Sequence, residues 1–219
     1  MKNLRFLFVI SLLTVFFLST AQAQNKGKTT TTTKKTTAVK KTTPAKTTAP
    51  VVIPTILKAG TKLIYSLNYN GTICTFTVEI KTLYPEVQYA WDITPPISTK
   101  GKTKILKSAL DNSLILNSDF NIDNAVYTDQ TALWVSKKIC SFLKSKKPVT
   151  INTGKGNSVL TFSSTEKKSY KVNNEMKELT VINAKTDKAI NFTILDDPNP
   201  IILRQTLRFN IELKEIIIP

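Results

Sequence analysis

The stretch KLIYSLNYNGTICTFTVEI, residues 62–80, restricts this chain more than any other part of it. Two runs of alternating apolar and polar residues flank Asn70-Gly71, the pair that best tolerates the positive φ angles of a two-residue hairpin turn. Such a loop sets Tyr69 opposite Thr72. Counting outward sets Leu67 opposite Cys74, Tyr65 opposite Phe76 and Leu63 opposite Val78. The apolar side chains of both strands then share one face, and a slip of one residue would turn all of them toward water. An antiparallel sheet with one buried face follows from this segment alone.

The same pattern recurs downstream. In EVQYAWDIT, Val87, Tyr89, Trp91 and Ile93 fall on one side before Pro95-Pro96 stops the run. The signal weakens between Ile97 and Asp123, where Lys104 to Leu110 reads equally as a helical turn or a strand. Leu133 to Val135 suits a short strand. Ser136 suits an N-cap for a helix that turns Ile139, Cys140 and Leu143 inward, with Lys144, Lys146 and Lys147 at its C-terminal end, where cations complement the helix dipole. After Pro148 the chain returns to strands, VTIN, SVLTFSS, SYKV, MKELTVINA, AINFTIL and LRFNIELKEI, separated by turn residues at Gly154 to Asn157, Asn173-Asn174 and Lys185 to Lys188. Strands that follow one another through short turns form an antiparallel meander. The predicted domain, residues 55–219, is mainly β: a strongly curved antiparallel sheet of roughly eight or nine strands with one short α-helix.

The stretch LDDPNPIIL offers the most conspicuous carboxylate pair, Asp196 and Asp197. Adjacent acids can hold a hard cation, but here they close a strand, Pro198 and Pro200 forbid its continuation, and the chain restarts as Ile201-Ile202-Leu203. The pattern reads as a corner. If so, Asn at either position keeps the turn-forming bonds and changes stability by less than about 1 kcal/mol.

The amino-terminal part follows different rules. Residues 1–23, MKNLRFLFVISLLTVFFLSTAQA, place Lys2 and Arg5 before an apolar run and end on Ala21-Gln22-Ala23, the layout of a cleaved secretory signal peptide. The run is too short to span a bilayer, so the mature chain is expected not to cross a membrane and to reside in the periplasm or outside the cell. Residues 24–54 are built almost wholly from Thr, Lys, Ala and Pro. Asn25 to Pro50 holds seven Lys and no acid, with no apolar face to offset the cost of ordering, and this predicts a disordered tether. The whole chain carries a formal charge of +16, much of it on that arm, which makes an anionic envelope surface a candidate partner. Nucleic acid is excluded as a partner, because an exported chain without a basic and aromatic recognition motif lacks the means to read it.

Composition also removes most chemistry. No histidine occurs anywhere, which eliminates Ser-His-Asp and Cys-His nucleophile activation and most zinc sites. No glycine-rich phosphate loop is present. The expectation is a protein that is not an enzyme, with no catalytic residues, no cofactor and no metal. Cys74 and Cys140 are the two cysteines; in an oxidising compartment they pair as a disulfide or pack as two small core thiols.

The segment AGTKLIYSLNYNGT, with Gly60, Leu63, Tyr65, Tyr69 and Gly71, resembles the start of a bacterial family of exported domains catalogued as domain of unknown function 3108, and LDDPNPIIL resembles a strand, acidic turn and apolar run found late in such domains. The resemblance spans residues 55–217. It implies an exported half-barrel or open-barrel sheet akin to lipoprotein carriers, and it supplies no catalytic residues. Two functions fit these observations. Either the aromatics Tyr65, Phe76, Tyr89, Trp91 and Phe192 line a site for an apolar or lipid-like ligand, or the domain is a structural or protein-interaction module of the envelope with no small ligand. A lined cavity of several hundred Å³ would favour the first reading, and a filled core the second.

Overall fold

The structure, a computed structural model, describes residues 55–118, 122–207 and 209–219. The segments read as signal peptide and tether lie outside the described residues. The described chain forms one large curved sheet that does not close into a barrel. Its first four strands are β1 (Lys62–Tyr69), β2 (Thr72–Thr82), β3 (Val87–Ile93) and β4 (Thr99–Ile105), all paired antiparallel in sequence order. The β1–β2 register is the one the sequence dictates: Tyr69 faces Thr72, Leu67 faces Cys74, Tyr65 faces Phe76 and Leu63 faces Val78. Asn70 and Gly71 have φ of 51° and 86°, as a twist-compatible two-residue turn requires.

A smaller insertion follows, made of helix α1 (Lys107–Asn112), strands β5 (Ile115–Asn117), β6 (Ala125–Tyr127) and β7 (Gln130–Ala132), and helix α2 (Lys137–Lys144). The ambiguous stretch Lys104 to Leu110 resolves into both possibilities, the end of β4 and then the start of α1. Ser136 caps α2 by accepting a hydrogen bond from the Ile139 N–H at 3.2 Å, and Ile139, Cys140 and Leu143 point inward. Residues Leu133 to Val135 form only an isolated bridge, between Trp134 and Ile201, where the sequence predicts a strand.

The rest is a second meander: β8 (Val149–Asn152), β9 (Asn157–Val172), β10 (Glu175–Thr186), β11 (Asn191–Leu195), β12 (Ile202–Thr206) and β13 (Asn210–Ile217). Two sequence runs, SVLTFSS and SYKV, merge into the single 16-residue β9, because its exposed middle gives no burial pattern to read. The run LRFNIELKEI divides instead, with β13 starting at Asn210 after a turn. The sheet order β6-β4-β3-β2-β1-β13-β12-β11-β10-β9-β8-β5-β7 joins both meanders through β1 and β13. With 13 strands and two helices among the described residues, the sheet has more elements than the sequence reveals. It is also mixed: the three-residue strands β5, β6 and β7 pair in parallel, and the end of β13 runs parallel to the end of β9. Register breaks in β1, β2, β10 and β11 supply the curvature.

Along β1 to β3 and β13 the core lies on one face of the sheet, whereas β11 and the start of β12 are buried on both faces. Leu63, Tyr65 and Leu67 of β1, Phe76, Val78 and Ile80 of β2, and Ile211 and Ile216 of β13 are all at most 1% exposed. Gly71 has open space where a Cβ would sit, so Gly71→Val meets no clash and its cost is the positive φ alone. A loss of about 1 to 2 kcal/mol in denaturant unfolding is expected; a neutral result would mean that the turn does not set the register.

Candidate functional site

All five aromatics that the sequence offers as a ligand platform are core residues. Tyr65 on β1 packs against Phe76 on β2 with ring centroids 5.7 Å apart. Its hydroxyl donates to the Ile202 carbonyl of β12 at 3.0 Å. Tyr89 stacks on Trp134 at 5.1 Å. Trp91 lies across its β4 partner Gly101: a Cβ there would fall 2.6 Å from the indole Cζ2 and 2.6 Å from Asp123 Oδ1. The space beside Gly101 is already filled. Phe192 sits on β11 opposite Ala184 of β10 and Gln205 of β12, and none of the five is more than 3% exposed.

The larger cavities open on the surface. One of them, about 680 Å³, is a trough over the outer face of β1 to β4. Alternation along each strand builds it: the residues whose neighbours face the core face out here. One cross-strand row reads Lys62, Glu79, Ala90, Lys102, and the next reads Thr77, Asp92, Lys100. Ala90 makes the trough, because its methyl group leaves a gap between two long charged side chains. Asp123 lines one end and accepts the Lys102 N–H at 3.0 Å. A second hollow of about 410 Å³ continues past Lys81 and Lys104 to β6. Glu79 pairs with Lys81 at 2.5 Å and Glu86 with Lys104 at 2.8 Å, whereas Lys62, Lys100 and Lys102 have no ion pair among the described residues. The lysines therefore outnumber the acids on this face.

The Asp196-Asp197 pair is a corner, and the two acids have separate duties. Asp196 pairs with Lys144 of α2 at 2.6 Å. Asp197 is 8% exposed and accepts three hydrogen bonds, from the Thr55 hydroxyl at 2.8 Å, the Ile56 N–H at 3.0 Å and the Asn199 N–H at 2.8 Å. This corrects the expectation that either acid can become Asn at little cost. Nothing in the local sequence signals the bonds to Thr55 and Ile56, some 140 residues away in the chain. Asp196→Asn should cost about 1 kcal/mol or less, because its Lys144 partner is about half exposed, and Asp197→Asn about 1.5 to 3 kcal/mol, the range for buried hydrogen bonds to a charged group. Equal effects in thermal unfolding would contradict the separate roles. Among the described residues no group of three or more Cys, Asp or Glu side chains is set to hold a metal ion.

Cys74 and Cys140 are free, buried thiols. Burial pushes the Cys140 thiol from its ordinary 9.0 up to about 12 and the Tyr170 hydroxyl from 10.0 up to about 12. In the other direction, hydrogen bonds from Lys81, Lys104, Lys107 and Lys214 hold Glu79, Glu86, Asp111 and Glu212 below their ordinary values. The lowered carboxylates stabilise the fold above the usual carboxylate range, and that contribution is lost as pH falls through their folded values. The raised thiol and phenol act oppositely: their contribution is present below 9.0 and 10.0 and disappears as pH rises toward about 12. With no histidine, the thermal midpoint should be flat from about pH 5 to about pH 8.5 and fall on both sides. A step near pH 6.5 in a series of melts would contradict this assignment.

No helix of the described residues is long and apolar enough to cross a membrane. No protein-family model matches the chain, and no curated protein or solved structure matches it either.

Proposed function

We propose that the chain is an exported, non-enzymatic interaction module of the cell envelope, displayed on its Thr/Lys-rich tether, and that it carries no apolar ligand. The observation that carries this reading is the filled core. An acyl-chain or drug-sized ligand needs a cavity of roughly 300 to 1,000 Å³ that encloses most of its surface. Spaces of that order here are open surface grooves, of about 680, 410, 410 and 340 Å³, each with charged side chains in its wall; of the five aromatics, Trp91 and Tyr89 reach the edges of the first two, and all five are at most 3% exposed. The lack of an enzymatic role is supported by the titrating groups: those that are shifted move away from neutral pH, opposite to what acid–base catalysis requires.

The surface a partner meets is the outer face of β1 to β4. Lys62, Lys81, Lys100, Lys102 and Lys104 project from adjacent strands there, and a rigid sheet holds them at fixed spacing. Together with the basic tether, this face suits an anionic envelope surface, to which long-range attraction guides the domain and from which salt releases it. Native mass spectrometry of the full chain purified from the expressing cell tests the first half of the reading. The expected species has the mass of the polypeptide alone. A co-purified lipid, dissociating only when the protein is activated in the gas phase, would restore the carrier reading of the resembled family.

A further inference from the structure

The end of β9 runs parallel to the end of β13, with Lys171 beside Glu215 and Val172 beside Ile216. That pairing brings together two strands that β10, β11 and β12 otherwise separate in the sheet order. A cleft of about 340 Å³ lies where they meet, walled by Lys168 and Tyr170 of β9, Met176 of β10, Arg204 of β12, and Glu212 and Lys214 of β13. It shares no lining residue with the grooves over β1 to β4.

The charges in this cleft do not balance. Lys171 pairs with Glu215 at 3.3 Å and Lys214 with Glu212 at 2.5 Å. Arg204 has no ion pair among the described residues, and Lys168 approaches only the Tyr170 ring, 6.0 Å from its centre. Two cations are left over. Tyr170 adds a third donor: the residue is 7% exposed, yet its hydroxyl has no hydrogen-bond partner among the described residues. Burial pushes that hydroxyl up to about 12, with the charges of Glu212 and Arg204 acting on it, so it keeps its proton at neutral pH and can donate. A secluded donor without an acceptor costs free energy until something from outside the chain supplies one.

The geometry points to a binding site for a phosphate group, held by the Arg204 guanidinium, the Lys168 ammonium and the Tyr170 hydroxyl. A guanidinium fork engages two oxygens of an oxyanion, and an ammonium adds a point charge on a flexible stem. A planar carboxylate has both oxygens taken by the fork, whereas a tetrahedral phosphate offers a further oxygen to the phenol. As a monoester its charge of about −1.5 to −2 matches the two free cations. The cleft is larger than a phosphate alone, and the exposed Met176 and buried Leu213 give an apolar wall to the organic remainder. The ligand is a phosphate ester, either a small soluble one or a lipid head group.

The full chain is titrated with glycerol 1-phosphate by calorimetry and, separately, with phosphatidylcholine vesicles with and without phosphatidate. Arg204→Gln should weaken binding by about ten-fold or more, the loss of a bidentate charge-assisted pair. Tyr170→Phe should weaken it by about three-fold or more, since it removes the hydroxyl and keeps the ring. Lys100→Gln, on the β1 to β4 face, should leave binding of the free ester within about two-fold, because exposed charges at a distance are screened. Arg204 is exposed and unpaired and Tyr170 loses no bond, so both variants should keep the parent's thermal midpoint within about 2 °C; should Tyr170→Phe not fold, Lys168→Gln takes its place. Saturable binding of the free ester with no gain on vesicles identifies a soluble source, and phosphatidate-dependent vesicle binding a lipid one; either upholds the site when it is lost with Arg204→Gln. No binding in both arms, binding that Arg204→Gln leaves unchanged, or acetate bound as tightly as the ester overturns the site. Vesicle binding that falls with Lys100→Gln but not with Arg204→Gln overturns it too, while sustaining the β1 to β4 face as the surface that meets the envelope.

Discussion

The pairing of β1 with β13 is the contact on which the sheet depends. β1 opens the regular structure and β13 closes it, with Lys62 facing Ile217 and Asn68 facing Asn210. Each meander is local in sequence, and they become one sheet only when the two ends of the domain meet. The entropic cost of that closure grows with the logarithm of the chain length between them. Burial offsets it: Leu63, Tyr65 and Leu67 on one side and Ile211, Leu213 and Ile216 on the other are at most 4% exposed. The Tyr65 hydroxyl goes further, reaching beyond β13 to a carbonyl of β12, so three adjacent strands are tied by one core side chain. Dominance of such distant contacts is the topology that folds slowly, after the local hairpins have formed.

A second junction forms around the Asp197–Pro200 corner. The Pro200 carbonyl accepts the Val135 N–H at 2.9 Å, and the Ile202 N–H donates to the Leu133 carbonyl at 2.8 Å. Those bonds attach the helical insertion to the second meander, while Trp134, between them, stacks on Tyr89 of the first. Asp197 adds the entry of the chain to the same point. A turn that in isolation only reverses direction thus becomes the place where the amino-terminal entry, the insertion and both meanders are held together. The prolines serve this arrangement by having no N–H to leave unsatisfied.

The lysines of the sheet answer a different physical demand. Pairs such as Lys81–Glu79 and Lys214–Glu212 are exposed and add little to stability, about 0 to 1 kcal/mol each. Their position matters more. Lys100, Lys102 and Lys104 alternate along β4, which only the three-residue β6 covers, and charged side chains near a sheet edge discourage unwanted strand pairing. The outer-face trough comes from the same alternation that builds the core, with Ala90 as the one small residue in a row of long ones. A surface shaped by solubility is in this way also available for recognition.

The sequence by itself determined the β class of the domain, the one-sided burial of the first hairpin, the β1–β2 register residue by residue, the capped helix at Ser136 and the corner at Asp196-Asp197. These rest on period-two alternation, on turn residues with particular φ angles and on capping chemistry, all of which act over a few residues and so are written in short stretches. Tertiary structure decided the rest. Three-residue strands such as β5, β6 and β7 are too short to show a period, and their parallel partners are distant in sequence. Whether Tyr65, Phe76, Tyr89, Trp91 and Phe192 line a cavity or fill a core is set by how far the sheet curls around them, which depends on register breaks that no residue type announces. The clasp between Asp197 and Thr55 belongs to the same category: an aspartate in a turn looks alike in sequence whether its carboxylate faces water or, as here, a backbone N–H brought to it from the other end of the domain.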